Sequence, residues 1–199
     1  MPESVDAILM AAGFSRRFGS ANKLMQPFLG KRMAEHVLHL FAGLSLIESV
    51  FFIFSDQKVG TLADDYPSIT KIHNTNPERG GCESVRLGVS ASQADYYLFV
   101  HCDQPLLNAE TVARILALRC SGKIVMPSHK GMPRTPVLFS SSFRQELLEL
   151  ADHENPRIIK NKYPDRVIDL DVPTWPLLED IDTREKLIFL ESIIKNKDM

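Results

Sequence analysis

The chain has 199 residues, of which 44% are hydrophobic and 24% charged, and its formal net charge is -2. This composition is typical of a globular protein and excludes a disordered or collagen-like polymer. The charge balance also argues against extended nucleic-acid binding, because a phosphate backbone requires an excess of basic side chains. We therefore predict a single domain over residues 1–199 that binds no nucleic acid.

The amino-terminal segment carries acidic residues and only a short apolar run. Glu3 and Asp6 stand where a targeting segment would carry basic residues, and the apolar run 7–12 is too short to cross a bilayer. The three cysteines are odd in number and lack C-x-x-C spacing, which argues against disulfides and structural zinc. These features predict a cytoplasmic protein with reduced thiols and no membrane partner.

Apolar runs and helical patterns alternate along the chain. The predicted strands, rich in β-branched and aromatic residues, are 5–10, 50–54, 69–73, 96–102, 123–126, 136–139 and 167–172. Between most of them the apolar residues have helical spacing, as in 33–44 and 112–116. Continuous apolar strands joined by helices predict an α/β fold of three layers, with a mostly parallel sheet covered on both faces.

A loop of small residues follows the first predicted strand, and it reads A-A-G-F-S-R-R-F-G-S-A-N-K-L from Ala11 to Leu24. Small side chains allow backbone N–H groups to approach anionic oxygens, and Arg16 and Lys23 can offset the charge of a triphosphate. The loop contains neither G-x-G-x-x-G nor G-x-x-x-x-G-K-[ST]. The alternative is an ordinary turn between a strand and a helix, in which Gly13 adopts a positive φ.

The string A-A-G-x-S-x-R-x-G followed by N-K-L resembles the amino-terminal signature of nucleoside triphosphate transferases, and is most similar to the molybdopterin (molybdenum cofactor) cytidylyltransferase family. The resemblance implies a Rossmann-like three-layer α/β/α nucleotidyltransferase fold and a loop that wraps a triphosphate. The nucleotide-binding residues that it implies here are Ala11, Ala12, Gly13, Ser15, Arg16 and Lys23. The pair Ala12-Gly13 is similar to the cytidylyl branch, since the guanylyl branch usually has two glycines there.

An acidic residue ends the predicted strand 96–102. Ligand sites in parallel sheets lie beyond the carboxyl ends of the strands, so Asp103 is expected to face the same region as the loop. A carboxylate there can bind Mg2+, whereas the alternative is a turn or cap residue before Pro105. The segment Asp103-Gln104-Pro105 resembles the family's metal-binding D-x-P, which implies that Asp103, with Arg16 and Lys23, is catalytic. We predict that His101 and Cys102 are packing residues.

A second acidic segment lies near the carboxyl terminus, E-D-I-D-T-R-E at 179–185. It resembles the family's D-I-D-T-P-E-D-L, which implies that Asp180 or Asp182 is a second metal ligand; the choice between them stays open. The spacing of Asp182 and Glu185 also predicts a capping box at a helix start, and Ser142 with Gln145 predicts another.

Segment 73–88 resembles the family's N-P-x4-G-x3-S-[VL]-x2-G, which implies that Asn74, Gly80 and Ser84 lie near the nucleotide base. The alternative is a loop that leads into an ordinary helix, with Gly88 allowing close packing.

The segments that resemble the family's acceptor region depart from its pattern. Arg134 and Thr135 replace the Gly-Asn of G-N-P-V-L-F, and Arg157 is retained from G-D-x-G-A-R although one extra residue precedes it. The resemblance implies that Arg134, Thr135 and Arg157 bind the acceptor, and a guanidinium such as that of Arg134 can contact a phosphate through two hydrogen bonds.

Together the resemblance implies a magnesium-dependent enzyme that transfers CMP from CTP to molybdopterin and releases pyrophosphate. One alternative is a nucleotidyltransferase for a sugar or alditol phosphate. Another is a non-catalytic carrier that serves a molybdenum hydroxylase or its maturation factor, which the departures at Arg134 and Thr135 keep open.

Overall fold

We describe the protein from a computed structural model, which covers residues 3–18, 22–173 and 175–197. In these residues the strands are β1 (Val5–Ala11), β2 (Pro27–Phe28), β3 (Lys31–Arg32), β4 (Ser49–Phe54), β5 (Ile69–His73), β6 (Tyr96–His101), β7 (Ile124–His129), β8 (Met132–Pro133), β9 (Val137–Ser140) and β10 (Val167–Asp171). Strands β2 and β3 form a separate two-stranded ribbon.

Helices connect most of these strands. They are α1 (Met33–Ala42), α2 (Gln57–Gly60), α3 (Gly81–Ala91), α4 (Ala109–Ala117), α5 (Arg144–Leu148), α6 (Arg157–Lys162) and α7 (Arg184–Lys197). Helix α4 begins after Asn108, whose side chain accepts a hydrogen bond of 2.9 Å from the Thr111 N–H. Within the described part of the chain, no helix combines the length and the apolar character that crossing a bilayer requires.

The large sheet is mostly parallel, as the sequence predicts. Its strand order is β10-β7-β9-β6-β1-β4-β5, with β8 paired to β7. Strands β1, β4, β5 and β6 pair in parallel, as do β7 and β10, whereas β9 runs antiparallel to both β6 and β7. The carboxyl ends of β1 and β6 therefore meet at the same edge of the sheet.

Two apolar clusters cover the two faces of the sheet. In β1, Ala7 and Leu9 join a cluster that includes side chains of α1, α4 and α7, whereas Ile8 joins a cluster that includes α3, α5 and α6. Alternate residues of a strand point to opposite faces, so this division follows from the strand itself. The three-layer α/β/α architecture is thus confirmed.

Two predicted helix caps are wrong. The Ser140 side chain, and not that of Ser142, accepts from a backbone N–H at the turn before α5, which begins at Arg144. At α7 the cap is Thr183, whose hydroxyl accepts from the Lys186 N–H at 3.2 Å. The Asp182 carboxylate is therefore not used as a cap.

Candidate active site

An open cleft of about 630 Å³ lies beyond the carboxyl ends of β1 and β6. Its lining includes Met10, Ala11, Ala12, Gly13, Phe14, Ser15, Arg17, Lys23, Leu24, Pro77, Glu78, Gly80, Gly81, Ser84, His101, Asp103, His153, Asp180 and Asp182. The small-residue loop, the segment before α3 and both acidic segments thus border one space. This location is where ligands bind in open α/β sheets.

The loop after β1 is held by its own side chains. The Ser15 hydroxyl accepts from the Lys23 N–H at 3.2 Å, and the Asn22 carboxamide oxygen accepts from the Leu24 N–H at 3.1 Å. Asn22 also donates to Asp56 at 3.1 Å, which anchors the loop beside α2. These bonds fix the backbone of Lys23 and direct its side chain into the cleft.

Neither backbone conformation nor packing requires a glycine at position 13. Its φ does not lie in the left-handed region, and among the described residues of this loop the positive φ belongs to Ser15, at 52°. A Cβ added at Gly13 would meet no atom of the described residues within 4 Å. The interpretation as a turn that requires a positive φ at Gly13 is therefore wrong, and the missing side chain leaves open space at the cleft.

Lys23 lies between two carboxylates of the cleft. Its ammonium donates a short hydrogen bond to Asp103 and another of 2.7 Å to Asp182. Burial lowers the pKa of Lys23, but the charges and hydrogen bonds of Asp103 and Asp182 outweigh burial and raise it above its usual value. The side chain is therefore a fixed positive charge at neutral pH.

A second cluster joins His101, Asp103 and Asp180. Each residue offers a ligand atom, and these atoms all lie within 4.8 Å of one another. One oxygen of Asp103 and one of Asp180 are buried and have no hydrogen-bond partner in the described residues. Buried carboxylate oxygens require a donor or a cation, so this donor set fits a hard divalent cation such as Mg2+.

Asp180 and Asp182 have different electrostatic environments. Burial, with smaller contributions from the negative charges of Asp103 and Asp182, raises the pKa of Asp180 to about 6. Asp182 instead binds Lys23 and Arg17, the latter at 2.8 Å, and these cations hold the pKa of Asp182 below its usual value although burial opposes them. The geometry thus places Asp180 with the metal-type cluster and Asp182 with the basic side chains.

Residues 7–167 match the family model described as the MobA-like NTP transferase domain. This chain belongs to the MobA-like NTP transferase family. The family resemblance stated from the sequence is confirmed, and the chain is therefore a nucleotidyltransferase.

Two relatives of this family member are named molybdenum cofactor cytidylyltransferase and molybdenum cofactor guanylyltransferase. The molybdenum cofactor cytidylyltransferase of Escherichia coli K12 is 27% identical over 186 residues, which cover 85% of this chain and 92% of that protein. A molybdenum cofactor guanylyltransferase of Shewanella pealeana is 29% identical and covers 76% of each chain. A solved nucleotidyl transferase from Methanothermobacter has the same fold, with a TM-score of 0.82, 16% identity and coverage of 98% of this chain and 99% of the other.

Most of the nucleotide-binding residues predicted for this transferase border the cleft. Ala11, Ala12, Gly13, Ser15, Lys23, Gly80 and Ser84 all border the cleft. Asn74 is buried behind the cleft wall, where its amide donates to the Ser84 hydroxyl at 3.3 Å. The side chain of Arg16 lies outside the described residues, although its backbone begins a short 3-10 helix.

The predicted acceptor-binding residues do not line the cleft of this family member. The Arg134 guanidinium donates to Glu179 at 3.1 Å, and the Thr135 carbonyl accepts from the Gln104 amide at 3.2 Å. Arg157 is exposed at the start of α6. Arg134 and Thr135 therefore have partners within the protein, and acceptor binding by these three residues stays a prediction.

Two side chains at the cleft were missed. His101, predicted to be a packing residue, faces Asp103 and Asp180, so that interpretation is wrong. Its position at the carboxyl end of a predicted parallel strand was the available signal, because ligand sites in such sheets lie beyond those ends. The second is Arg17, which lines the cleft. In A-A-G-x-S-x-R-x-G the arginine comes two residues after the serine, so the motif itself indicates Arg17.

Proposed function

We propose that this chain transfers CMP from CTP to the terminal phosphate of a molybdopterin-type acceptor, with Mg2+ as the cofactor. The observation that carries the proposal is the convergence of Lys23, from the small-residue loop, with Asp103, from the end of β6. A basic side chain and a buried carboxylate at one cleft are the groups that a cation-bound triphosphate requires. The cytidylyltransferase of Escherichia coli, matched over 92% of its length, supports this choice of substrates.

We assign the cation to Asp103 and Asp180, with His101 beside them. Their unpaired buried oxygens support this choice, whereas Asp182 is already bound to Lys23 and Arg17. When bound, Mg2+ would neutralise phosphate charge and favour the departure of pyrophosphate. Asp182 would then hold Lys23 and Arg17 toward the phosphates.

The reaction joins an oxygen of the acceptor phosphate to the α-phosphorus of CTP. As that bond forms, the bond from the α-phosphorus to the bridging oxygen breaks, and pyrophosphate leaves with the electron pair. A phosphate oxygen is already anionic, so no side chain has to remove a proton from it. The protein contributes position and charge: the backbone at Ala12 and Gly13 approaches the phosphates, and Lys23 offsets their charge.

The choice of nucleotide rests on the loop after β1. One relative is named for cytidylyl transfer and another for guanylyl transfer at similar identity. The pair Ala12-Gly13 favours CTP, because it resembles the cytidylyl branch, whereas the guanylyl branch usually has two glycines there.

The proposal is tested by pyrophosphate release with each of the four nucleoside triphosphates, Mg2+ and molybdenum cofactor as the acceptor. We expect release with CTP and much slower release with the others. A preference for GTP would overturn the choice of nucleotide, and turnover only with sugar or alditol phosphates would overturn the acceptor. Tight CTP binding without any release would instead indicate a carrier that serves a molybdenum hydroxylase.

A further inference from the structure

The backbone on both sides of Asp180 is fastened to the end of β6. We name residues 178–181 the strap. At one end of the strap the Leu178 carbonyl accepts from the Gln104 side-chain amide at 3.0 Å, and at the other the Ile181 N–H donates to the Asp103 carbonyl at 2.9 Å. Leu178 and Ile181 are also buried in the core. The position of Asp180 therefore depends directly on Asp103 and Gln104.

Gln104 ties the strap to a second loop. Its side chain is fully buried, and its amide nitrogen donates both to Leu178 and to the Thr135 carbonyl, at 3.2 Å. These two carbonyl partners determine the orientation of the amide. If the amide were flipped, its oxygen would face two carbonyl oxygens and could not bond to either. The buried side chain of Gln104 thus connects the strap with the loop before β9, and Gln104 itself directly follows Asp103 in the chain.

The strap has to be held against electrostatic repulsion. Asp180 faces the carboxylate of Asp103 in a partly buried site, where like charges repel more strongly than in water. In the described residues no donor reaches the buried Asp180 oxygen, so the side chain itself does not offset the repulsion. The carboxylate of Glu179 binds Arg134 and Lys186. These ion pairs involve the Glu179 side chain and not the backbone groups that flank Asp180.

We propose that Gln104 is a positioning residue, whose amide holds the strap so that Asp180 stays within reach of the cation bound by Asp103. The inference rests on the proposed function, because it takes Asp103 and Asp180 as the ligands. Without the Gln104 amide, repulsion between the two carboxylates would move the Leu178 end of the strap outward. Residues that orient metal ligands commonly change metal affinity by about 10- to 100-fold when they are replaced.

The test is the affinity of the whole protein for Mn2+, used as a spectroscopic probe for Mg2+ and measured by electron paramagnetic resonance without nucleotide or acceptor. Gln104→Met keeps the volume and removes the amide, and it is compared with wild type and with Asp103→Asn. Leu147→Ala is the matched control, since it opens a cavity in the core on the other face of the sheet. We expect Gln104→Met to weaken Mn2+ binding by roughly tenfold or more, and Leu147→Ala to bind like wild type although its melting temperature falls.

The possible outcomes separate the inference from the proposed function. If wild type does not bind Mn2+, or if Asp103→Asn binds it equally well, the assignment of the cation to Asp103 and Asp180 fails, and this inference fails with it. If wild type and Asp103→Asn behave as expected but Gln104→Met binds Mn2+ with full affinity, the role of Gln104 alone is overturned. Should Gln104→Met not fold, Gln104→Asn gives the same test, because it keeps an amide that is one methylene too short to span both carbonyls.

Discussion

The Lys23 ammonium and an Asp182 carboxylate oxygen lie 2.7 Å apart, although 159 positions separate the two residues in the chain. The same ammonium donates to Asp103, so the loop after β1, the end of β6 and the segment before α7 meet at one side chain. Because Lys23 and Arg17 occupy Asp182, Asp180 is the carboxylate before α7 that remains for a cation. The structure therefore separates the two alternatives that the sequence left open, since Asp182 pairs with basic side chains and Asp180 lies with His101 and Asp103.

Asp180→Asn should weaken metal binding, whereas Asp182→Asn should weaken nucleotide binding. We expect Asp180→Asn to weaken Mn2+ binding by roughly 100-fold, because it removes a charged ligand, and Asp182→Asn to change it by less than about threefold. Asp182→Asn should instead raise the KM for CTP, since Lys23 and Arg17 lose their common partner. Calorimetric titration with Mn2+ and steady-state kinetics measure both effects. Equal loss of Mn2+ affinity in the two variants would contradict the assignment.

Metal affinity should depend on pH through Asp180. Its pKa of about 6 means that the carboxyl carries a proton below pH 6, and a cation must displace that proton to bind. The affinity for Mn2+ should therefore fall by up to about tenfold for each unit below pH 6 and level off above it. Asp180→Asn should remove this dependence between pH 5 and 7. A wild-type affinity that does not change between pH 5 and 7 would refute the role of Asp180.

Lys23→Met should reduce kcat/KM for CTP by about 100- to 1000-fold, because it removes a fixed positive charge that faces the phosphates in the transition state. Most of the loss should appear in kcat. Lys58→Met is a suitable control, since Lys58 is exposed in α2 and does not line the cleft. Unchanged kinetics in Lys23→Met would remove Lys23 from the site.

Gly13→Ala should impair nucleotide binding without harming the fold. In the described part of the chain the added methyl group meets no atom within 4 Å, so the melting temperature should stay the same or rise slightly. The KM for CTP should nevertheless rise on the order of tenfold, because the methyl group occupies space where phosphates approach the backbone. Gly43→Ala, in ordinary contact at the end of α1, is the matched control. If Gly13→Ala binds CTP like wild type, the phosphates of CTP do not occupy the open space at Gly13.

The fold was predictable because its signals are local. Continuous apolar runs identified the strands of the parallel sheet, and strand ends in such a sheet gather at one edge, which brought Asp103 toward the small-residue loop. The predicted packing role of Gly88 is confirmed as well, since a Cβ there would lie 2.4 Å from Ile8.

The wrong predictions concern choices that depend on contacts distant in sequence. Asp182 and Thr183 are both good helix caps, and only the ion pair with Lys23 determines that Asp182 is used elsewhere. Acceptor binding by Arg134 stays a prediction, but the sequence did not indicate that Glu179, 45 positions later, binds its guanidinium. No spacing rule relates such residues, because the path of the chain between them decides whether they meet.

The most direct test is pyrophosphate release by the Asp103→Ala variant, measured with Mg2+, CTP and molybdenum cofactor. It asks whether Asp103 and the loop after β1 act on one cation-bound triphosphate. We predict that turnover falls by at least about 100-fold while the circular dichroism spectrum stays that of wild type. Wild-type turnover with an unchanged magnesium requirement in Asp103→Ala would contradict the account.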